Sequence, residues 1–134
     1  MKLNIINFKS LGDERGLLIS LEQNRNIPFE IKRINYIFKT KRDVIRGYHA
    51  HKNLKQVAVC ISGTCKFLLD NGKKKINVLL DSPSKGLLID EMIWHEMYDF
   101  SEDCVLMVLA DDFYDESDYI RDYNDFLKMV INDT

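Results

Sequence analysis

Three histidines are the residues of this sequence best suited to move protons, and they lie in two short settings. These are Arg46-Gly47-Tyr48-His49-Ala50-His51-Lys52 and Ile93-Trp94-His95-Glu96-Met97. An imidazole with an unperturbed pKa of about 6.5 exchanges its proton near neutrality, so a cluster of them fits general acid–base chemistry. In an extended segment side chains alternate, which puts His49 and His51 on one face about 7 Å apart and turns Ala50 the other way. Spacing alone equally allows a plain pair of surface histidines on a loop, because short histidine motifs recur by chance. Imidazole also suits zinc, nickel, copper and iron, so a metal centre is the competing chemistry.

These residues need a scaffold, and the sequence supplies a β-rich one. Apolar and β-branched segments recur at Leu17 to Leu21, Ile31 to Phe38, Gln56 to Ile61, Thr64 to Leu69, Lys75 to Leu80, Gly86 to Ile89 and Val105 to Leu109. Turn signals separate them at residues 12–16, Asn26-Ile27-Pro28, Ser62-Gly63, Asn71-Gly72 and Ser82-Pro83-Ser84. Only the tail changes period: Tyr119, Tyr123, Phe126, Leu127 and Val130 fall at helical spacing, with Asp115, Ser117 and Asp118 as candidate caps. The acidic run from Asp111 to Asp118 lacks the spacing of a calcium loop and reads as charge before that helix.

A chain of 134 residues, 46% of them hydrophobic, fills one core, so residues 1–134 read as a single domain. The 19 basic and 21 acidic residues are interspersed and give a net charge of −2, which signals no broad basic face for nucleic acid. The first residues lack the apolar run of a signal peptide, and no segment approaches a membrane span, so the expectation is a cytoplasmic protein off the membrane. Cys60, Cys65 and Cys104 lie in apolar stretches without a Cys-x-x-Cys pair, and read as buried free thiols.

Gln56 follows His51 by five residues and Gly63 follows by seven more, an arrangement that resembles the first cupin motif with glutamine in place of its glutamate. Gly86, His95 and Asp99 resemble a reduced second motif that lacks its proline and second glycine. The resemblance implies an all-β cupin, a jelly-roll barrel, with a C-terminal α-helix. Gln56 offers no charge to a cation, which argues against metal. No metal and no other cofactor is expected.

Together with residues 46–52 and 94–97, the stretch Tyr114-Asp115-Glu116-Ser117-Asp118-Tyr119-Ile120-Arg121 resembles the dTDP-sugar 3,4-ketoisomerase family over nearly the whole chain. That resemblance implies a metal-free homodimer, often with exchanged N-terminal strands. It also implies conversion of dTDP-4-keto-6-deoxy-glucose into a dTDP-3-keto-6-deoxy-hexose, with an aminotransferase using the product for 3-amino sugars of surface glycans. On this reading His49 is the base and His51 its relay partner, while Tyr36 and Arg46 stabilise the enediolate oxygen. His95 completes the pocket, and Trp94 or Tyr48 packs on the sugar or the base. Arg33, Lys66 and Arg121 are the candidates for the pyrophosphate. By itself Arg15 reads as a solvated turn charge; in the family its region approaches the site. The regions of Arg15 and of Met97-Tyr98 then decide the hand at C4, where the galacto product is favoured. Competing readings are a metal-dependent cupin, a sugar 3,5-epimerase on the same barrel, and a non-catalytic sugar-nucleotide binder.

Overall fold

A computed structural model describes residues 1–132. One five-stranded sheet has the order β1 (Ile5–Asn7), β9 (Lys85–Ile89), β6 (Gln56–Ser62), β11 (Val105–Ala110), β4 (Arg33–Phe38). A second runs β12 (Tyr119–Ile120), β5 (Arg46–His51), β10 (Trp94–Tyr98), β7 (Cys65–Asp70), β8 (Lys75–Leu80). All the strand pairs are antiparallel. A hairpin of β2 (Leu11–Asp13) and β3 (Gly16–Leu18) stands apart from both, and the helix α1 (Tyr123–Asn132) closes the described chain.

Alternation along the strands sorts the apolar residues into three cores. Ala58, Cys60, Phe67, Leu69, Leu80, Leu87, Met97 and Leu106 meet between the two sheets. Val57, Val59 and Leu109, the opposite face of β6 and β11, are covered by Phe8, Ile27 and Phe29 of the N-terminal arm. Ala50, Trp94 and Ile120 lie beneath Phe126 of α1. Since β6 is covered on both faces, its first five residues are all buried, and Val57 to Cys60 read as continuously apolar rather than alternating. The two facing sheets form the jelly-roll barrel of the cupin class, as the sequence implied.

The departures are local. The segment from Leu17 to Leu21 is strand only to Leu18, because the Asn26 side chain then folds the backbone on itself. It accepts from Glu22 N–H at 2.7 Å and donates to the Ser20 carbonyl at 2.7 Å. Tyr119 is not helical but pairs in β12 opposite His51, and α1 begins four residues later. Its cap is Asp122, whose Oδ1 accepts from Asp125 N–H at 3.0 Å, while Asp115 caps only the short 3-10 turn of residues 116–118. Buried Asp70 ties α1 to β7, accepting from Gly72 N–H at 2.7 Å and from the Tyr123 hydroxyl at 2.5 Å. All three cysteines are free and buried.

Candidate active site

β5 and β10 are neighbours, and their register sets His49 opposite His95. His51 follows on the same face of β5, so three rings converge. Centroids are 4.5 Å apart for His49 and His95, 4.9 Å for His49 and His51, and 6.1 Å for His51 and His95. One ring nitrogen from each lies within 4.8 Å of the others. His51 and His95 are buried, and His49 is half-buried at the wall of a cavity of about 260 Å³.

A bulge decides what else reaches this cavity. Strict alternation would send Arg46 to the face opposite His49, since three residues separate them. Gly47 and Tyr48 both have positive φ, +92° and +56°, and the ladder shifts between His95 and Glu96. The extra residue reverses the parity, so Arg46, Gly47 and His49 all line the cavity. Tyr48 is turned outward and half exposed. A Cβ at Gly47 would lie 2.8 Å from the His95 carbonyl oxygen and 3.1 Å from Met97 Sδ. Gly47→Ala is therefore expected to spread β5 from β10, lower turnover at least about 10-fold and cost about 1–3 kcal/mol of stability. Steady-state kinetics and urea denaturation check both.

Each imidazole is fixed by a partner that can only accept. His49 Nδ1 is 3.0 Å from the Gly47 carbonyl, His95 Nδ1 is 3.3 Å from the Ile93 carbonyl, and His51 Nδ1 is 3.1 Å from Asp118 Oδ2. A neutral ring so placed carries its proton on Nδ1 and leaves Nε2 as the basic nitrogen. His51 Nε2 is buried without a partner.

Burial favours the neutral form of all three rings. It lowers the His49 pKa, pushes His51 to about 4 with help from the neighbouring His49 and against the pull of Asp118, and pushes His95 to about 3. From the ordinary value of 6.5 down toward those values, the unfolded chain binds protons that the folded chain refuses. Folding stability must therefore fall as pH falls through that window. Urea midpoints measured from pH 7 to pH 5, above the usual carboxylate range, are expected to decline with acidification. They should decline less in the His51→Asn/His95→Asn variant, and equal slopes would contradict the assignment.

The residues singled out in the sequence divide by location. Arg33, Arg46, His49, His95 and Arg121 line the cavity, and His51 stands one ring behind it. Arg33 Nε is buried without a partner, whereas Arg121 lies 4.2 Å over the Tyr119 ring and is paired to Glu116 at 2.7 Å. Tyr36, expected beside the histidines, is on the outer face of β4 and 65% exposed, because Arg33, Asn35 and Ile37 occupy the inner positions. Trp94, expected with Tyr48 as the alternative to pack on the sugar or the base, is buried under α1 against Tyr123 and Phe126, with its Nε1–H donated to Glu96 Oε2 at 2.9 Å. Lys66 alternates outward from Phe67 and pairs with Asp99 at 3.0 Å, away from the cavity. Arg15 sits on the separate hairpin, paired with Asp13 at 2.7 Å.

Asp118, read as a helix cap, is instead the partner of His51, and its second oxygen accepts from Asn53 N–H at 2.8 Å. Asn35 and Tyr119 also line the cavity. Asn35 stands two residues from Arg33, so alternation places it on the same face, whereas Tyr119 and Asp118 lay in the stretch of residues 114–121 but read as a helical-period residue and a cap. The three imidazoles could accept a divalent ion by spacing, but no carboxylate among the described residues lines the cavity, and the amides of Gln56 and Asn35 bring no charge to it.

A jelly-roll barrel whose cavity is lined by imidazole and guanidinium groups defines an enzyme of the cupin class. Residues 1–131 match the model of the FdtA family, WxcM-like, C-terminal, and the chain belongs to that family. It is 54% identical over 130 residues to a TDP-4-oxo-6-deoxy-α-D-glucose-3,4-oxoisomerase of Aneurinibacillus thermoaerophilus, covering 97% of this chain and 94% of the relative. A 3,4-ketoisomerase from Helicobacter canadensis superposes with a TM-score of 0.95 at 49% identity, over 98% of each chain. A histidine-to-asparagine variant of a 3,4-ketoisomerase from Thermoanaerobacterium thermosaccharolyticum, in complex with TDP-4-keto-6-deoxyglucose, gives 0.95 at 42% identity, over 97% and 94% of the two chains. The resemblance read from the sequence, the barrel fold and the assignment to the isomerases are thereby borne out. No helix among the described residues is long and apolar enough to cross a membrane.

Proposed function

We propose that the chain is a metal-independent 3,4-ketoisomerase that converts TDP-4-keto-6-deoxyglucose into TDP-3-keto-6-deoxygalactose. The observation that carries this reading is the cavity wall itself: a neutral His49 with Nε2 basic, beside Arg33 and Arg46. Next to a 4-keto group the C3 proton is acidified, and His49 Nε2 removes it to give a 3,4-enediolate. Arg46 and Arg33 balance the oxyanion, and the buried, unpartnered Arg33 Nε is a donor in want of one. The carbon-bound proton returns to C4, and the O3 hydroxyl proton moves to O4 by way of His51 and His95, so protons and electrons balance.

The arrangement also favours one product. In the galacto sugar the hydrogen added at C4 lies on the same ring face as the one removed from C3; in the gluco sugar it lies on the opposite face. Bases clustered at one wall serve a same-face transfer. A cavity of about 260 Å³ holds the sugar, and the pyrophosphate lies toward Arg33 and Arg121.

The working unit is a homodimer. Ile34, Tyr36 and Phe38 on the outside of β4 are 55%, 65% and 55% exposed, and Leu17 on the hairpin is 74% exposed, an apolar surface that a second copy covers. The same contact is the route by which Arg15 and Tyr36 approach a site in the partner. The protein acts in the cytoplasm, and an aminotransferase consumes its 3-keto product on the way to 3-amino sugars of surface glycans.

Chelator-treated protein incubated with TDP-4-keto-6-deoxyglucose in deuterated buffer tests the reading by NMR. The expected result is a 3-keto sugar that retains at C4 hydrogen carried over from C3, with the H4–H5 coupling of a galacto centre. A gluco coupling overturns the product; exchange at C3 and C5 with the carbonyl unmoved identifies an epimerase; turnover only after metal is restored overturns metal independence.

A further inference from the structure

The far end of the barrel holds a second cluster of reactive side chains, which the isomerase chemistry does not use. Cys60 on β6, Cys65 at the start of β7 and Cys104 just before β11 place their sulfurs within 4.8 Å of one another. Cys60 Sγ is 3.6 Å from Cys104 Sγ. Cys65 lies two residues from Phe67, and Cys60 four residues from Gln56, on the same sides of their strands as those cavity-lining residues. At about 3.3 Å per residue, the sulfurs are on the order of 7–13 Å deeper in the barrel than the cavity wall.

Two loops fix this end before any ligand arrives. Gly63, between β6 and β7, has φ +68°, and a Cβ there would lie 2.3 Å from Ser101 Oγ and 2.9 Å from Cys104 Cα, so glycine allows the two loops to touch. Ser101 N–H donates to the Thr64 carbonyl at 2.9 Å, Thr64 N–H donates to Ser101 Oγ at 2.8 Å, and Cys104 N–H donates to the Ser101 carbonyl at 3.0 Å. The backbone on either side of all three thiols is thereby stapled together.

The donor set is selective. With metal–sulfur bonds of about 2.3 Å, three thiolates around a zinc-sized ion stand about 3.8–4.0 Å apart, and small side-chain rotations bring these sulfurs to that spacing. Thiolates favour soft, thiophilic ions over the hard ions that carboxylates hold. The carbonyl oxygens of Ser62 and Gly63 lie 3.2 and 3.3 Å from Cys60 Sγ, oxygen donors beside the same sulfur.

We propose that Cys60, Cys65 and Cys104 form a trithiolate site for one soft divalent cation of the zinc and cadmium class, separate from the histidine pocket. Binding makes three metal–sulfur bonds and releases the three thiol protons to solvent, with no change of oxidation state. It cross-links β6, β7 and the approach to β11 at the end of the barrel away from the substrate.

Cadmium(II) is the probe, because sulfur-to-cadmium charge transfer absorbs in the ultraviolet and imidazole ligation gives no such band. Reduced full-length protein, refolded with excess cadmium(II) and desalted, is expected to retain the charge-transfer band at one thiolate-bound equivalent and to unfold at a higher temperature than the metal-free protein. The His49→Asn/His95→Asn variant is expected to keep the band. Cys104→Ala is expected to lose it, and Cys65→Val, which keeps an apolar side chain of similar size, stands in should that variant fail to fold. A desalted wild-type protein without the band overturns the proposal, as does a band that survives the loss of either cysteine.

Discussion

Replacing His49 with asparagine is expected to lower turnover of TDP-4-keto-6-deoxyglucose by about 10³-fold while leaving the fold intact, within the range that positioned general bases contribute. His49 is the histidine whose ring lines the cavity beside Arg46 and is held by the Gly47 carbonyl at 3.0 Å. An asparagine amide can still donate toward that carbonyl, so the bulge keeps its contact, but an amide cannot take up a carbon-bound proton at neutral pH. Deuterium exchange at C3 should disappear along with isomerisation, because both begin with the same proton abstraction. The affinity for TDP should change little, since the guanidinium groups of Arg33 and Arg121 are untouched. Quantitative NMR of the exchange, with the melting temperature as the control on folding, decides the matter. Exchange at the wild-type rate would move the role of base to His95, the other imidazole that lines the cavity.

Asp118→Asn should cost about 10²-fold in kcat with little change in KM, although Asp118 is not among the residues lining the cavity. Its two oxygens serve two donors, His51 Nδ1 at 3.1 Å and the Asn53 backbone N–H at 2.8 Å. An asparagine keeps one oxygen. The backbone donor cannot change its nature, so the oxygen turns to Asn53 and the amide NH₂ faces His51. Nδ1 must then accept, and the ring proton moves to Nε2, the nitrogen that the relay needs free. Asp118 is thus a positioning residue that acts through His51. A merely structural role would lower stability and leave the kcat of the folded fraction unchanged. The two are separated by kinetics normalised to folded protein, together with the ¹⁵N shifts of the His51 ring, which report the tautomer directly.

Much of the scaffold was legible in the chain. The β-rich periods of residues 56–61, 64–69, 75–80 and 105–109 became β6, β7, β8 and β11 with ends moved by a residue at most, because a strand that packs at least one face on a core carries apolar and β-branched residues there. β5 and β10 carried the histidines but too little apolar periodicity to stand out as strands, and β12 is only two residues long. The helix was visible from Tyr123, Phe126, Leu127 and Val130, whereas Tyr119, one turn before Tyr123 by spacing, belongs to a strand because its backbone pairs with His51.

What the sequence determined by itself is the chemistry on offer: histidines two apart on one extended face, a third at a matching motif, a neutral glutamine where a ligand would carry charge, and the family these patterns mark. Tertiary structure decided which of the other candidates join them. Period-two alternation separates Arg33 from Tyr36, but only the second sheet, packed against β4, says that the arginine is the one turned inward. Arg46 reaches the cavity through a bulge that its own residue type does not announce, and Trp94 and Lys66 are lost to it by the same alternation that brings in His95 and Phe67. Asp118 meets His51 across 67 residues of chain, and burial, not the imidazole itself, sets the proton affinities of His51 and His95. Local spacing fixes the side of a strand on which a residue stands; which side becomes interior, and how dry that interior is, depends on surfaces contributed by distant parts of the chain.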